Sequence, residues 1–426
     1  MNVSTQENDN KTPYSYHTFI YTFTYSTEKK TKKEKKENQQ KNIEEDQKWQ
    51  KINNVEDIIN GNTENEEKWS AYNSLCYFTP KARNAIFNTN TDKTSENYRY
   101  IIPTGKTLKY EITLYGQEDT ISLPIQEMKL TLFPKIKVGM ISINLVNYDA
   151  KEEYGITRIT RAAQINEYGR RLFFPNIGKD KKRGVRSFIE TTGLKIVDGD
   201  TEIISINFEE QYKANKNIEI EPQFIDALLG KAIKNEYDIT GFSSVFDDRM
   251  FTCSLVIDDF ISDEMKKYNK KNSEYACYVP NQMISDTNIE TSGLLYGYVF
   301  IDSDLNYCTC QNKNFRKELL KNHIHDRWID YGTLYGFTEY SMTCITNQSG
   351  SEIVGSSFLT QYVELVKLCL MQRAAINIIE TDIVNTCKSI QPDLDESIDI
   401  DEISKIWEKY IVFQNELYLP EVTFQE

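Results

Sequence analysis

The residues best suited to chemistry are arginines. Between positions 158 and 186 lie Arg158, Arg161, Arg170, Arg171, Lys179, Lys181, Lys182, Arg183 and Arg186, opposed only by Glu167 and Asp180, in a chain of formal net charge −14. A guanidinium presents a planar fork of donors that fits carboxylate or phosphate. Arg158, Arg161, Arg170 and Arg171 flank apolar residues (Ile159, Leu172, Phe173, Phe174) that would reduce screening, so they are expected to contribute to a pocket for a phosphate-bearing ligand. Arg327 and Trp328 are expected to join them. Residues 179 to 186 read instead as a solvated loop. The competing expectation is that the arginines pair with the abundant Asp and Glu of the same fold.

Other chemistries lack their minimal residues. Cys308, Cys310, His323 and His325 are of zinc-ligand type, but each pair is separated by one residue, closer than zinc sites use. Buried thiols and surface imidazoles without a metal are expected there. There is no HExxH, no GxSxG, no GxxxxGK[ST] and no strand-linked GxGxxG, so neither catalysis nor a cofactor is expected. The acidic balance argues against general nucleic-acid binding, which depends on Lys and Arg.

The chain has 426 residues, 39 % of them hydrophobic and 12 % aromatic, enough for a sizeable core. Its eight cysteines are scattered, a pattern that predicts reduced, buried thiols in a cytoplasmic protein rather than a disulfide framework. No secretion signal is legible at the N-terminus. The apolar window from Phe358 to Ile379 contains Glu364, Lys367, Gln372 and Arg373, so it is not expected to cross a bilayer.

Residues 14 to 25 alternate with period two, which predicts a strand. From Glu28 to Gln50 the chain is almost all polar and charged, with Lys29 to Lys36 positive and Glu44 to Asp46 negative, and reads as a solvated insertion extending to about residue 66. Strands are predicted at 108–115, 130–133, 137–148, 194–197, 202–208, 250–257, 294–301 and 336–345. Helices are predicted at 157–169, 221–236 and 314–322. Strands outnumber helices and come in neighbouring pairs, which predicts an α+β fold with a mixed, largely antiparallel sheet and flanking helices.

Two C-terminal helices complete the expected organisation of N-terminal strand (1–27), charged insertion (28–66), α+β core (67–350) and helical hairpin or stalk (351–426). Phe358, Tyr362, Leu365, Val366, Cys369, Ile376 and Ile379 form one helical stripe. After a linker containing Pro392, a capping pair (Asp399 with Glu402) opens a second helix with the stripe Ile403, Ile406, Trp407, Tyr410, Phe413 and Leu417. No Gly or Asn stop follows it, so this helix is expected to run on to Glu426 as part of a truncated stalk that self-associates.

The segments 165–175 (INEYGRRLFFP), 247–259 (DDRMFTCSLVIDD), 327–341 (RWIDYGTLYGFTEYS), 371–374 (MQRA) and 410–426 (YIVFQNELYLPEVTFQE) resemble bacterial CorA-like proteins. The resemblance covers most of the chain from about residue 130. It implies the cytosolic N-terminal region of a membrane protein of the CorA divalent-cation channel type, assembled as a pentamer, with its membrane helices beyond the segment given. Some such relatives accompany type III CRISPR systems as antiviral effectors answering a nucleotide messenger. This chain departs from that pattern in having no Gly-Met-Asn pore signature. The expected function is therefore a sensory or gating module, located on the inner face of the membrane, that catalyses nothing. The alternatives are a free-standing anion or nucleotide sensor and, third, a zinc-dependent enzyme.

Overall fold

The computed structural model describes residues 12–28, 48–52, 75–89, 94–103, 105–114, 120–148, 156–172, 191–208, 210, 222–246, 249–271, 290–302, 310–389 and 400–423. Most of the charged insertion (29–47 and 53–66), the basic run 179–186, Cys277, Cys308 and Asp399 lie outside them; residues 48–52 do not, and there Trp49 is buried in the core rather than solvated.

The first strand organises the molecule. In β1 (Pro13–Thr27), Phe19, Tyr21, Phe23 and Tyr25 enter one hydrophobic core while Ile20 enters another. A strand with both faces buried must be central, and both edges of β1 are paired. Along one edge runs β6 (Val138–Tyr148), antiparallel from Pro13↔Tyr148 to Thr24↔Val138. The other edge is shared. β10 (Phe251–Ile257) pairs from Ser15↔Val256 to Ile20↔Phe251, and β9 (Ile239–Ser244) takes over from Phe23↔Ser244 to Thr27↔Ile239.

Beyond β6 lies β5 (Ile121–Phe133), whose far edge pairs with β4 (Leu108–Leu114) and with β3 (Glu96–Tyr100). β2 (Trp49–Lys51) pairs with β3, and β7 (Thr191–Asp198) and β8 (Thr201–Asn207) extend the sheet past β4. On the opposite side β10 pairs in parallel with β13 (Ser341–Thr346), followed by β12 (Leu334–Phe337) and the two-residue β11 (Ile324–His325). Every other pairing among the described strands is antiparallel, so the fold is α+β with a mixed, largely antiparallel sheet, as its strand pairs predicted.

Helices cover both faces. α1 (Pro80–Phe87) opens on Thr79, whose hydroxyl accepts from Ala82 N. α2 (Ile156–Gly169) lies across β1 and β10, and α3 (Gln223–Glu236) packs Phe224 edge-on against Tyr110, 5.9 Å between centroids. α4 (Asp259–Lys271), α5 (Glu290–Phe300) and α6 (Lys313–His323) build a third core with α2. On the other face, α7 (Gln348–Ser357), a π turn (Phe358–Tyr362) and α8 (Val363–Ser389) follow one another without a break, and α9 (Ile400–Val412) packs on α8.

Three expectations are corrected. Residues 294 to 300 belong to helix α5, not to a strand, and Ile301 lies in the turn after it. A short run apolar on every side has no period to choose between strand and helix. Tyr298 on this helix is buried and donates to the carbonyls of Ser254 and Cys344, both at 3.0 Å. Residues 336 to 345 form two strands, because Thr338 N donates to Ser341 O (2.9 Å) and reverses the chain.

The last helix does not run to the end of the chain. It widens into a π turn at Phe413–Leu417 and stops, with Tyr418 extended. Pro420 restricts Leu419 to extended backbone, a stop signal outweighing the missing glycine. Phe413, Leu417 and Leu419 are buried in the core with α8, and Thr79 N donates to Val422 O at 2.8 Å. The C-terminal segment is thus folded onto the domain rather than projecting as a stalk. One core joins residues on either side of position 350.

Of the six described cysteines, Cys253 and Cys344 are buried as predicted, whereas Cys76, Cys369 and Cys387 are exposed. Among the described residues one helix, Gln348–Cys387, is long and apolar enough by length and composition to cross a membrane (mean hydropathy 1.3). One face of it packs inward: Phe358, Leu368, Met371 and Ala374 belong to the core, and the buried pair Lys367 and Glu364 is 2.9 Å apart.

Candidate functional site

The handover along the edge of β1 leaves a window in the sheet. β10 pairing ends at Ile20 and β9 pairing begins at Phe23, and between them Val245 N donates to Thr22 O at 3.3 Å. The cleft at this window is small, about 20 Å³, room for one or two water molecules. Ile20, Met250, Phe251 and Leu370 give it apolar walls, while Thr22, Arg170, Ser244, Arg249, Glu339 and Tyr340 supply polar groups.

Arg170 is held there by the end of α2. Gly169 lets the turn pass close over β1, since a Cβ would lie 2.7 Å from the Phe19 ring, and its carbonyl accepts from Tyr110 Oη at 2.8 Å. Met250 N donates to Arg170 O at 2.8 Å, and Arg171 forms an isolated bridge with Arg249, so the chain after α2 is stitched to the start of β10. The Arg170 side chain is 3 % exposed. Its Nη2 donates to Glu167 Oε2 (3.1 Å) and to Ile301 O (3.2 Å), whereas its Nε is buried without a partner among the described residues. Thr22 Oγ1 is in the same condition.

Glu167 serves two cations, because its second oxygen accepts from Arg171 Nη2. Burial lowers the Arg170 pKa from its ordinary value; Glu167 opposes this, and Arg249 and Arg171 add to it. The rim carries two stacked cations: Arg249 over the Tyr340 ring at 5.9 Å, and Arg373 of α8 over Phe246 at 4.6 Å.

The arginines expected to act together are divided by the fold. Arg170 and Arg171 meet at Glu167, and Arg170 lines the cleft. Arg158 sits near the other end of α2, about 18 Å away for twelve residues of helix. There it contacts Asp258 (3.5 Å) and the Ile257 carbonyl (3.4 Å) and lies over the Tyr14 ring. Arg161 acts electrostatically on buried His17, not on the cleft. Arg327 and Trp328 stack on each other, 5.1 Å apart, on an exposed turn before β12. These four do not line the cleft. A helix of fourteen residues separates its ends by more than any small ligand spans, which spacing in sequence conceals.

Thr22, Arg249, Glu339 and Tyr340 were not legible as site residues. Thr22 lies within β1 and the other three at strand ends or turns, and only the gap between β9 and β10 assembles them. Among the described residues no group of three or more His, Cys, Asp and Glu side chains comes together as a metal site. His323 is engaged in structure: its Nδ1 bonds Leu319 O at 2.8 Å and its ring meets Phe300.

No protein family, curated protein or solved structure matches this chain. The cleft sets guanidinium groups beside apolar walls. Its described lining residues include a buried donor awaiting an acceptor, but no nucleophile paired with a base.

Proposed function

We propose that this chain is a binding module, the sensory and gating part of a CorA-like membrane assembly, which responds to a phosphate-class anion at the rim of the β9–β10 window and catalyses no reaction. The observation that carries the reading is convergence. Four of the five segments that resemble CorA-like proteins meet at this cleft: 165–175 through Arg170, 247–259 through Arg249 and Met250, 327–341 through Glu339 and Tyr340, and 371–374 through Arg373 over Phe246. The fifth, 410–426, packs against α8 on the same face. A ligand at the window would touch the sheet, the end of α2 and the helix that leads to the C-terminal segment.

Gating requires assembly, and an apolar surface suited to it is exposed. Ile376, Ile383 and Val384 on α8, and Ile403, Trp407, Tyr410 and Ile411 on α9, are each at least 40 % exposed. Grouped exposed apolar residues mark interaction surfaces. Light scattering at high micromolar concentration is expected to show an oligomer, and Ile403→Asp with Trp407→Asp is expected to reduce its mass while leaving the thermal midpoint within a few degrees. Phe413 is unsuitable for this test because it is buried. A wild-type monomer would contradict the gating role and favour a free-standing sensor.

A further inference from the structure

We infer that the far end of β9 carries a second site, which takes a small hydroxylated anion such as a sugar monophosphate or a hydroxy acid. It stands apart from the window, and neither reading depends on the other. A cavity of about 240 Å³ lies between the end of α3 and β9, just under the roughly 300 Å³ at which pockets for drug-sized ligands begin. Asp226, Lys231, Lys234 and Asn235 of α3 line it on one side and residues 239–242 of β9 on the other.

Backbone irregularities build this cavity. α3 bends at Gly230, whose φ of 70° and ψ of 171° fall in a region open essentially to glycine alone. Just before the bend, the Leu228 carbonyl accepts from Trp49 Nε1 at 2.8 Å. In a straight helix residues 226 and 234 would be about 12 Å apart along the axis, yet Lys234 Nζ donates to Asp226 Oδ1 at 2.7 Å. Asp238, with a φ of 52°, then reverses the chain into β9. The pairing of β9 with β1 slips between Ser26↔Gly241 and Thr27↔Ile239, so Thr240 is the extra residue of a bulge. Ile239 and Phe242 enter the core, while Thr240 is exposed to the solvent side of the cavity.

The polar groups suit one anionic head surrounded by hydroxyls. Lys231 is exposed, has no partner among the described residues, and lies one helical turn from Lys234. Two ammonium groups and one carboxylate give the lining a net charge of +1 in a chain of −14. Asp226 keeps Oδ2 for a hydroxyl, and the Thr240 hydroxyl and Asn235 amide can each donate and accept. An apolar molecule would leave these groups unpaired, and a bare phosphate would leave most of them unused.

The test is calorimetric titration of the whole chain with glucose 6-phosphate, gluconate, inorganic phosphate and glucose. Glucose 6-phosphate or gluconate is expected to bind at one site per chain, and the tighter of the two identifies the head group. Inorganic phosphate lacks the hydroxylated body and glucose lacks the charge, so each is expected to bind at least tenfold more weakly. Lys231→Gln is expected to weaken the hydroxylated anion about tenfold. Thr240→Val is expected to weaken it about two- to tenfold while leaving inorganic phosphate unchanged. Both side chains are exposed, so the thermal midpoint is expected to stay within a few degrees. Equal affinity for inorganic phosphate and the hydroxylated anions would reduce the cavity to a pair of lysines and overturn the inference. Binding unchanged by Lys231→Gln but weakened by Arg249→Gln would place the ligand at the window, overturning this site while leaving the sensor reading in place. The inference also fails if neither hydroxylated anion binds at millimolar concentration.

Discussion

Glu167→Gln is expected to destabilise the fold by about 3–5 kcal/mol, the cost of leaving a buried charge without its partner. Glu167 is 7 % exposed and Arg170 3 %, and one carboxylate serves both Arg170 and Arg171. Without its charge, Arg170 keeps only neutral acceptors, the Ile301 carbonyl and the glutamine amide oxygen, with Arg249 and Arg171 nearby as like charges. Arg171 is more exposed, so Arg171→Ala should cost only about 1 kcal/mol. The double change Glu167→Gln with Arg170→Met should recover much of the loss, since an apolar replacement of a buried pair is often neutral. Urea unfolding of the three variants provides the measurement. A loss below about 1 kcal/mol for Glu167→Gln would mean that solvent reaches Arg170 and that the cleft is not closed from behind.

The second large effect is acid destabilisation through His17. This ring is fully buried; its Nδ1 lies 2.7 Å from Asn166 Oδ1, its Nε2 lies 3.0 Å from Ser15 Oγ, and Ser254 Oγ is 3.4 Å from Nδ1. The neutral tautomer protonated at Nδ1 fits, donating to Asn166 and accepting from Ser15. Burial pushes its pKa down to about 4; the Asn166 bond opposes the fall and the Arg161 charge adds to it.

The sign follows from which state binds the proton first. An unfolded histidine titrates near 6.5, so between about pH 6.5 and 4 the unfolded chain binds a proton that the folded chain refuses. Stability from this group is complete above pH 6.5 and falls by about 3 kcal/mol as the pH drops to about 4. His17→Gln should be less stable at neutral pH yet lose this component of the slope. Unfolding free energies measured every half pH unit for both proteins would show it. Parallel curves for wild type and variant would remove His17 as the cause.

The framework of the fold was open to reading from the sequence because it rests on periodicity. β1 alternates over twelve residues, α2 and α3 keep helical spacing, and the strand pairs declare an antiparallel sheet. Helix α5 misled because its residues are apolar on all sides and so carry no period. The end of α9 is marked not by a glycine but by Pro420, which keeps Leu419 extended.

The site was half legible for a different reason. Arg170 stood out as a cation set among apolar neighbours in an acidic chain, but its partners come from strand ends and turns distant in sequence. Thr22 and Arg249 are joined only by the register in which β9 and β10 divide one edge of β1, and register is a tertiary property. Arg158 carried the same sequence signal as Arg170, yet it is used to tie α2 to Asp258.

The central claim is that an anion binds at the window and is felt by the helix on the other face. Hydrogen exchange of the intact chain, with and without saturating inorganic phosphate, tests it most directly. Protection is expected in peptides spanning 244–251 and 365–375, with Arg170 and its turn following, because these segments line the cleft or touch its rim. Binding that protects only the exposed turn around Arg327 and Trp328, or the far end of α2 around Arg158, would contradict the account.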